Sequence, residues 1–366
     1  MRAVYYPTSA KENAFQQIVQ SGLEDGGYQI ENLDTYIKGL GKDPIPVFFN
    51  WYDDVSHGNG FICLIKYLRN RVVISRVLAR GGRIAYVVHN RQPHDSEGTV
   101  GFKLSIKLRK CLCLKASRVI VLCDKTRDVL RSQLGKDTYA SIERKIVKVP
   151  HPTFTGAYGD SGRDYRAEFC IPDDSFLFVF SGLIRPYKGV EKVLDVAAKF
   201  LKLGYDADFL IAGKCSSKEY EQEIADRANR LGNVHVCFGF VENDDIGCLM
   251  KAADILIQPY DIKSSLNSGS CYLAFSFERT VICPEIGSTM EFAPELTYTY
   301  DYASDVEHRE ALIEAAVRAF TDWQTDKAGF TRKGHELKRL VDEDNSRELT
   351  AKRYCDVARA CMAGEE

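Results

Sequence analysis

Short apolar runs alternate with stretches of helical length along almost the whole chain, and few folds accept that order. RAVYYP (2–7), PIPVFFNW (44–51), RIAYVVHN (83–90), RVIVLCD (118–124) and KIVKVPHP (145–152) read as strands. Between them, ENAFQQIVQSGLEDGG (12–27), GFICLIKYLRNRVVISRVLARGG (60–82), TVGFKLSIKLRKCLCLKAS (99–117) and KTRDVLRSQLG (125–135) read as helices. Residues 152–168, rich in Gly, Tyr, Asp and Thr, read as a linker. A second series follows, with strands in FLFVFSG (176–182), ADFLIAGK (207–214), VHVCFGF (234–240), DILIQPY (254–260) and TVICPE (280–285). Its first helix, GVEKVLDVAAKFLKLG (189–204), sets Val190, Val193, Leu194, Ala197 and Leu201 on one face at the helical period. Parallel strands need helical crossovers, so the pattern predicts an α/β protein of two Rossmann-like, doubly wound domains facing a cleft. The expected boundaries are 1–155 and 165–345, with a terminal helix over 346–366.

A chain of 366 residues, 45% hydrophobic and 27% charged, has enough apolar material for two cores. No apolar run is long enough for a transmembrane helix, and the start lacks the apolar segment of a secretory signal. The twelve cysteines are scattered and several sit inside apolar segments, which suits a reducing cytoplasm. Cys111 and Cys113 have no second pair at metal-binding spacing.

The net charge of −2 conceals an asymmetry: residues 1–150 carry +10 and residues 151–366 carry −12. Phe61 to Gln92 and Phe102 to Arg118 contain basic residues and no acid. The second of these mixes Phe102, Leu104, Ile106, Leu108, Leu112 and Leu114 with Lys103, Lys107, Arg109, Lys110 and Lys115. That mixture predicts an interfacial helix drawn to an anionic membrane surface, placing the protein in the cytoplasm and peripherally on the membrane. The basic stretches lack interleaved aromatics, so no nucleic-acid partner is expected.

Two loops carry the candidate chemistry. SGLIRPYKGV (181–190) leaves a strand end and places Arg185 and Lys188 around Pro186, with Gly189 expected to let the next helix start close to a ligand. In open parallel sheets ligands bind at the carboxyl ends of strands, where helix N-termini favour phosphate. Arg offers a planar fork of donors and Lys a compact cation. QPYDIKSSLNSGS (258–270) runs from another strand end into a helix opening at Ser268-Gly269-Ser270. Two such helix starts suit a diphosphate. An ordinary exposed loop and an ordinary capped helix would look the same locally.

SGLIRPYKGVEKVL, FGFVENDDIGCLMKAADILIQPY, NSGS…RTVICPEIGSTMEF and YVVHNRQPHD together resemble family 4 glycosyltransferases of the GT-B type, in particular the bacterial branch that builds polysaccharide. The resemblance covers almost the whole chain. It implies that the N-terminal domain binds the acceptor and the C-terminal domain the nucleotide-sugar, with the last helix returning to the first domain. It assigns the donor diphosphate to Arg185 and Lys188, helped by the amides of Ser268, Gly269 and Ser270, and the nucleobase to Gly239, Phe240 and Val241. His89 would face the donor sugar, His94 would stand at the same edge, and Glu291 would lie near the sugar or phosphates. Typical members carry two Glu separated by seven residues where this chain has Ser265 and Leu273, and leucine accepts no hydrogen bond from a ribose hydroxyl.

The implied reaction moves a sugar from a UDP- or GDP-linked donor to a lipid-linked or saccharide acceptor, with no cofactor and no metal. Cations and helix amides would stabilise the leaving diphosphate in place of a metal. The pairs Asp53-Asp54, Asp173-Asp174 and Asp244-Asp245 read as loop or helix-start acids. Two alternatives share the same residues: a nucleotide-sugar epimerase on the same fold, and a weakly catalytic partner of another transferase.

Overall fold

The computed structural model describes residues 1–8, 13–92 and 98–363. The chain divides into two compact units. The first comprises Met1–Pro152, Lys263–Asn267 and Asn345–Glu366, and the second Thr153–Ile262 and Ser268–Asp344.

In the first unit β1 (Arg2–Tyr6), α1 (Ala14–Asp25), β2 (Gln29–Glu31), α2 (Leu33–Lys38), β3 (Pro46–Asn50) and α3 (Gly60–Ala79) follow in order. Then come β4 (Arg83–Val88), α4 (Val100–Lys115), β5 (Arg118–Val121), α5 (Lys125–Leu134), α6 (Lys136–Ile142) and β6 (Ile146–Lys148). The strands form one parallel sheet in the order β2-β1-β3-β4-β5-β6. All five residues of β3 are buried, because helices cover both faces of the sheet, and so β3 reads as a continuous apolar run. Several helices start on the local signal their sequences offer: the side chains of Asn13, Asn32, Asn59 and Thr99 each accept from a first-turn amide.

The order of strands reverses between β1 and β3. From β1 the chain steps to β2 on one side and then to β3 on the other, which creates a switch point at their carboxyl ends.

In the second unit α7 (Tyr165–Glu168), β7 (Phe176–Ser181), α8 (Val190–Leu203), β8 (Ala207–Gly213), α9 (Lys218–Ala228) and β9 (Val234–Phe238) come first. They are followed by α10 (Asn243–Ala252), β10 (Ile255–Ile257), α11 (Gly269–Ser276), β11 (Thr280–Pro284), β12 (Tyr298–Tyr300), α12 (Asp305–Thr325) and α13 (Lys327–Asp344). The sheet is again parallel, ordered β12-β11-β10-β7-β8-β9, with its switch point between β7 and β10. Phe178 stacks on Phe209 at 4.5 Å and meets Phe176 and Phe200 edge-on, which builds the aromatic centre of this core.

The last helix, α14 (Arg347–Ala363), belongs to the first unit and packs on α1. The approach is close enough that a Cβ at Gly22 would lie 2.7 Å from the Cβ of Ala351. No helix among the described residues is long and apolar enough to cross a membrane. All twelve cysteines are free thiols and eight are buried, so they pack as small hydrophobes.

Several expectations change. The stretch expected to be a linker belongs to the second unit from Thr153 onward. Thr153 and Thr155 both donate to Asp342 Oδ1, at 2.8 and 2.7 Å, and Arg163 pairs with Asp245 at 3.1 Å. Such anchoring uses partners far along the chain that local composition does not reveal. On α8, Leu201 is exposed, and Val196 and Phe200 complete the buried face instead. The short elements β2, α2 and α6 were not anticipated; they are too brief to show a period.

The basic helix α4 turns three of its four leucines inward and leaves Leu114 exposed. Leu104, Leu108 and Leu112 are all buried in the first unit's core. Arg109, counted among its cations, is buried too and closes on buried Asp53 with contacts of 2.7 and 3.0 Å. Its other donors reach the carbonyl of Arg91 and Oε1 of Gln133. Burial works against the guanidinium charge, and the Asp53 carboxylate outweighs it. Asp53 is therefore the counter-ion of a core arginine.

Candidate functional site

The second unit's polar cluster sits at its switch point. β7 ends at Ser181, and the next residues run alongside the end of β8: Ile184 donates to Lys214 and bridges Cys215. Pro186–Lys188 make one tight turn, and Gly189 follows with φ +69°. A side chain at Gly189 is excluded because its Cβ would fall 2.6 Å from the carbonyl oxygen of Pro259. The glycine expected to admit a ligand thus admits the backbone after β10.

That approach sets Lys188 against Tyr260, with Nζ 4.5 Å from the ring centre and 5.6 Å from that of Tyr187. Burial pushes the Lys188 ammonium down to about 8, and the nearby Arg185 charge pushes the same way. Arg185 is exposed on the same loop. Neither side chain is among the ion pairs of the described residues, so two cations share one loop end without a carboxylate within bridging distance.

Tyr260 joins this loop to the second one. Its hydroxyl lies 2.7 Å from Ser268 Oγ, and Ser268 Oγ accepts from the amide of Cys271 to cap α11. The Ser268 amide, expected to bind phosphate, instead donates to Ser288 Oγ at 2.8 Å. Gly269 and Ser270 occupy the first turn of α11, where backbone amides have no intrahelical acceptor. Glu291 lies on the segment after β11 that also carries Ser288. Leu273 is buried within α11, where it accepts no hydrogen bond.

Three glycines open the adjacent strand ends. Gly182, Gly213 and Gly239 have φ of +131°, +151° and +124° at the carboxyl ends of β7, β8 and β9. At Gly213 a Cβ would collide with the carbonyl of Gly182, so β7 and β8 come together there as bare backbone. Gly239 donates to the Gly213 carbonyl, and exposed Phe240 and half-buried Val241 continue along this edge. The result is a floor of peptide groups with an aromatic and an aliphatic side chain at one end and two cations at the other.

The first unit has its own cluster at the carboxyl ends of β1, β3 and β4. His89 follows β4 and is buried. Its Nε2 lies 2.9 Å from Asn50 Oδ1, and Asn50 Nδ2 donates to the Tyr6 carbonyl at 2.9 Å. With the Asn50 amide oriented by Tyr6, Nε2 carries the hydrogen and Nδ1 keeps its lone pair. The imidazole stacks on Trp51 at 3.8 Å and meets Phe15 edge-on at 5.3 Å. Burial first, then neighbouring His151, holds the His89 imidazole well below its ordinary range, so it is neutral at pH 7. Trp51 takes φ +51°, a conformation costly for a bulky residue, at the switch point itself. The His89 carbonyl accepts from Asn267 at 2.7 Å, within the loop Lys263–Asn267 that also carries buried Ser265 and Leu266.

Asn50, Trp51 and Tyr260 were missed from sequence. Each stands at a strand end, and for Trp51 that position is the available signal. His94 lies outside the described residues.

Two six-stranded parallel sheets, each covered by helices, are the architecture of GT-B glycosyltransferases. Residues 162–262 match the family model Glycosyl transferases group 1. Sucrose-phosphate synthase from Thermosynechococcus elongatus superposes with a TM-score of 0.73 over 99% of each chain at 14% identity. Anabaena HepE in complex with UDP and glucose gives 0.70, over 98% of this chain and all of that one, at 11% identity. Among curated relatives, a GDP-mannose:glycolipid 4-beta-D-mannosyltransferase of Xanthomonas campestris is 27% identical over 132 residues, 36% of this chain and 37% of its own. The chain thus matches little more than a third of that relative's length.

Proposed function

We propose that this protein is a glycosyltransferase that moves a sugar from a UDP- or GDP-linked donor to a lipid-linked or saccharide acceptor in polysaccharide biosynthesis. The observation that carries this reading is the loop at the β7/β10 switch point. It holds Lys188 against Tyr260 beside exposed Arg185, next to the glycine-lined strand ends and the start of α11. The second unit binds the nucleotide-sugar, and the first unit binds the acceptor and supplies His89. Named activities of the curated relative, GDP-mannose to glycolipid transfer, support the donor and acceptor classes.

The bond from the anomeric carbon to the diphosphate oxygen breaks, and the acceptor hydroxyl forms the new glycosidic bond as it loses its proton. Negative charge grows on the departing diphosphate. Arg185, Lys188 and the first-turn amides of α11 stabilise that charge as fixed donors, so the reaction proceeds without a divalent ion. Chelation by EDTA is expected to leave turnover intact; loss of activity that added magnesium restores would overturn the metal-free mechanism.

Arg185→Ala and Lys188→Ala are each expected to leave a folded protein that binds the nucleoside diphosphate about 10-fold more weakly or worse, since a charge-assisted hydrogen bond contributes about 1.5–3 kcal/mol. Because the ammonium of Lys188 loses its proton near pH 8, wild-type affinity should decline as pH rises through that value, well before an ordinary lysine titrates. In Lys188→Arg the decline should vanish. Titration calorimetry with UDP and GDP at several pH values measures both effects, and unchanged affinity in both alanine variants would remove this loop from the donor site. Release of nucleoside diphosphate only when acceptor is present separates a transferase from an epimerase, and turnover of the purified chain separates it from a passive partner.

A further inference from the structure

We infer that α3, rather than α4, is the helix by which the first unit lies on an anionic lipid bilayer. α3 has 20 residues and is therefore about 30 Å long. Its inward side is small, with Cys63, Val73, Ile74 and Val77 buried. The opposite side is apolar as well. Phe61, Leu64, Ile65, Leu68 and Val72 recur at helical spacing and are all exposed, Phe61 at 72% and Leu68 at 53%. Exposed large apolar residues are common singly, but a continuous stripe of five on one helix marks a docking surface.

Charge decides what it docks to. Arg69, Arg71 and Arg76 are exposed on α3 itself, and no acidic residue occurs from Phe61 to Gln92. The neighbouring helix α4 packs against α3 and exposes Lys103, Lys107 and Lys110. An apolar stripe bordered by arginine and lysine, with no carboxylate along either helix, is the composition of a helix lying in a bilayer interface. Each such cation near an anionic leaflet adds about 1 kcal/mol of attraction, or roughly fivefold in affinity. Pairing with a second copy through the same face would set these cations against their own kind. The inference extends the lipid-linked acceptor reading, yet its test uses neither donor nor acceptor.

The test is flotation of the full chain with phosphatidylcholine vesicles, with and without phosphatidylglycerol. Wild type is expected to float with anionic vesicles at low salt, and less so as salt rises. Leu64→Glu with Leu68→Glu should weaken binding by at least about tenfold. Both positions are exposed, and an unchanged circular dichroism spectrum verifies the fold. Arg69→Glu with Arg76→Glu provides a second variant with the same expected direction. The inference is overturned if wild type fails to float, floats equally with neutral vesicles at low salt, or if neither double variant weakens binding. It is also overturned if wild type is a dimer without lipid that Leu64→Glu with Leu68→Glu dissociates, because the stripe then covers a second copy. Flotation with unaltered membrane binding but no transferase activity would sink the proposed function and leave this inference standing.

Discussion

His89→Ala is expected to lower the transfer rate at least about 100-fold, with the affinity for free nucleoside diphosphate nearly unchanged. The two readouts separate because the residues proposed to hold the diphosphate, Arg185 and Lys188, belong to the other unit. His89 is neutral and donates through Nε2 to Asn50, which leaves the lone pair of Nδ1 as its unused function. Its proposed contribution is therefore that of a positioned acceptor, and turnover should show no titration near the ordinary histidine value. Removing the ring also unstacks Trp51, so the comparison requires a folded variant. Asn50→Ala serves as the control: it frees the imidazole to turn and should reduce the rate in the same direction while leaving the ring in place. Near-normal turnover in His89→Ala would make the residue structural. Lost nucleotide affinity would place it in another part of the site.

The second large effect is on stability. Asp53→Ala leaves the Arg109 guanidinium buried with two neutral acceptors and no counter-ion. Breaking a buried pair in this way costs about 3–5 kcal/mol, a large part of the 5–15 kcal/mol typical of a folded domain. The first unit's denaturant midpoint should drop accordingly. Arg109→Ala leaves Asp53 unpaired and should cost a similar amount. Asp53→Leu combined with Arg109→Met removes both charges together and should recover most of the loss. Strict additivity of the single variants would show that the two residues do not act as a pair.

Several of these features were legible in the chain because their signals are local. The alternation of apolar runs and helical periods predicts the parallel α/β units from β1 to β11, the short β2 apart, since crossover connections require it. Arg185 and Lys188 stand out because Pro186 and Gly189 mark a tight turn at a strand end. The capping residue Ser268 announces the start of α11 three residues before Cys271, whose amide it binds.

What the tertiary structure alone decided depends on residues far apart in sequence. Asp53 and Arg109 are 56 positions apart, so the loop acid and the surface cation became a core pair only when β3 and α4 came together. Locally Gly189 offers room for a ligand, and the carbonyl of Pro259 fills that room. Ser268 spends its amide on Ser288, which no local pattern around SGS reveals. The contrast between α3 and α4 is the sharpest case. Both sequences are apolar and basic around most of their circumference, so periodicity does not say which side the sheet covers. Packing buries Leu104, Leu108 and Leu112 of α4 and leaves Leu64 and Leu68 of α3 outside. Composition determined that the first unit would carry a basic, apolar surface; the choice of helix was made by burial.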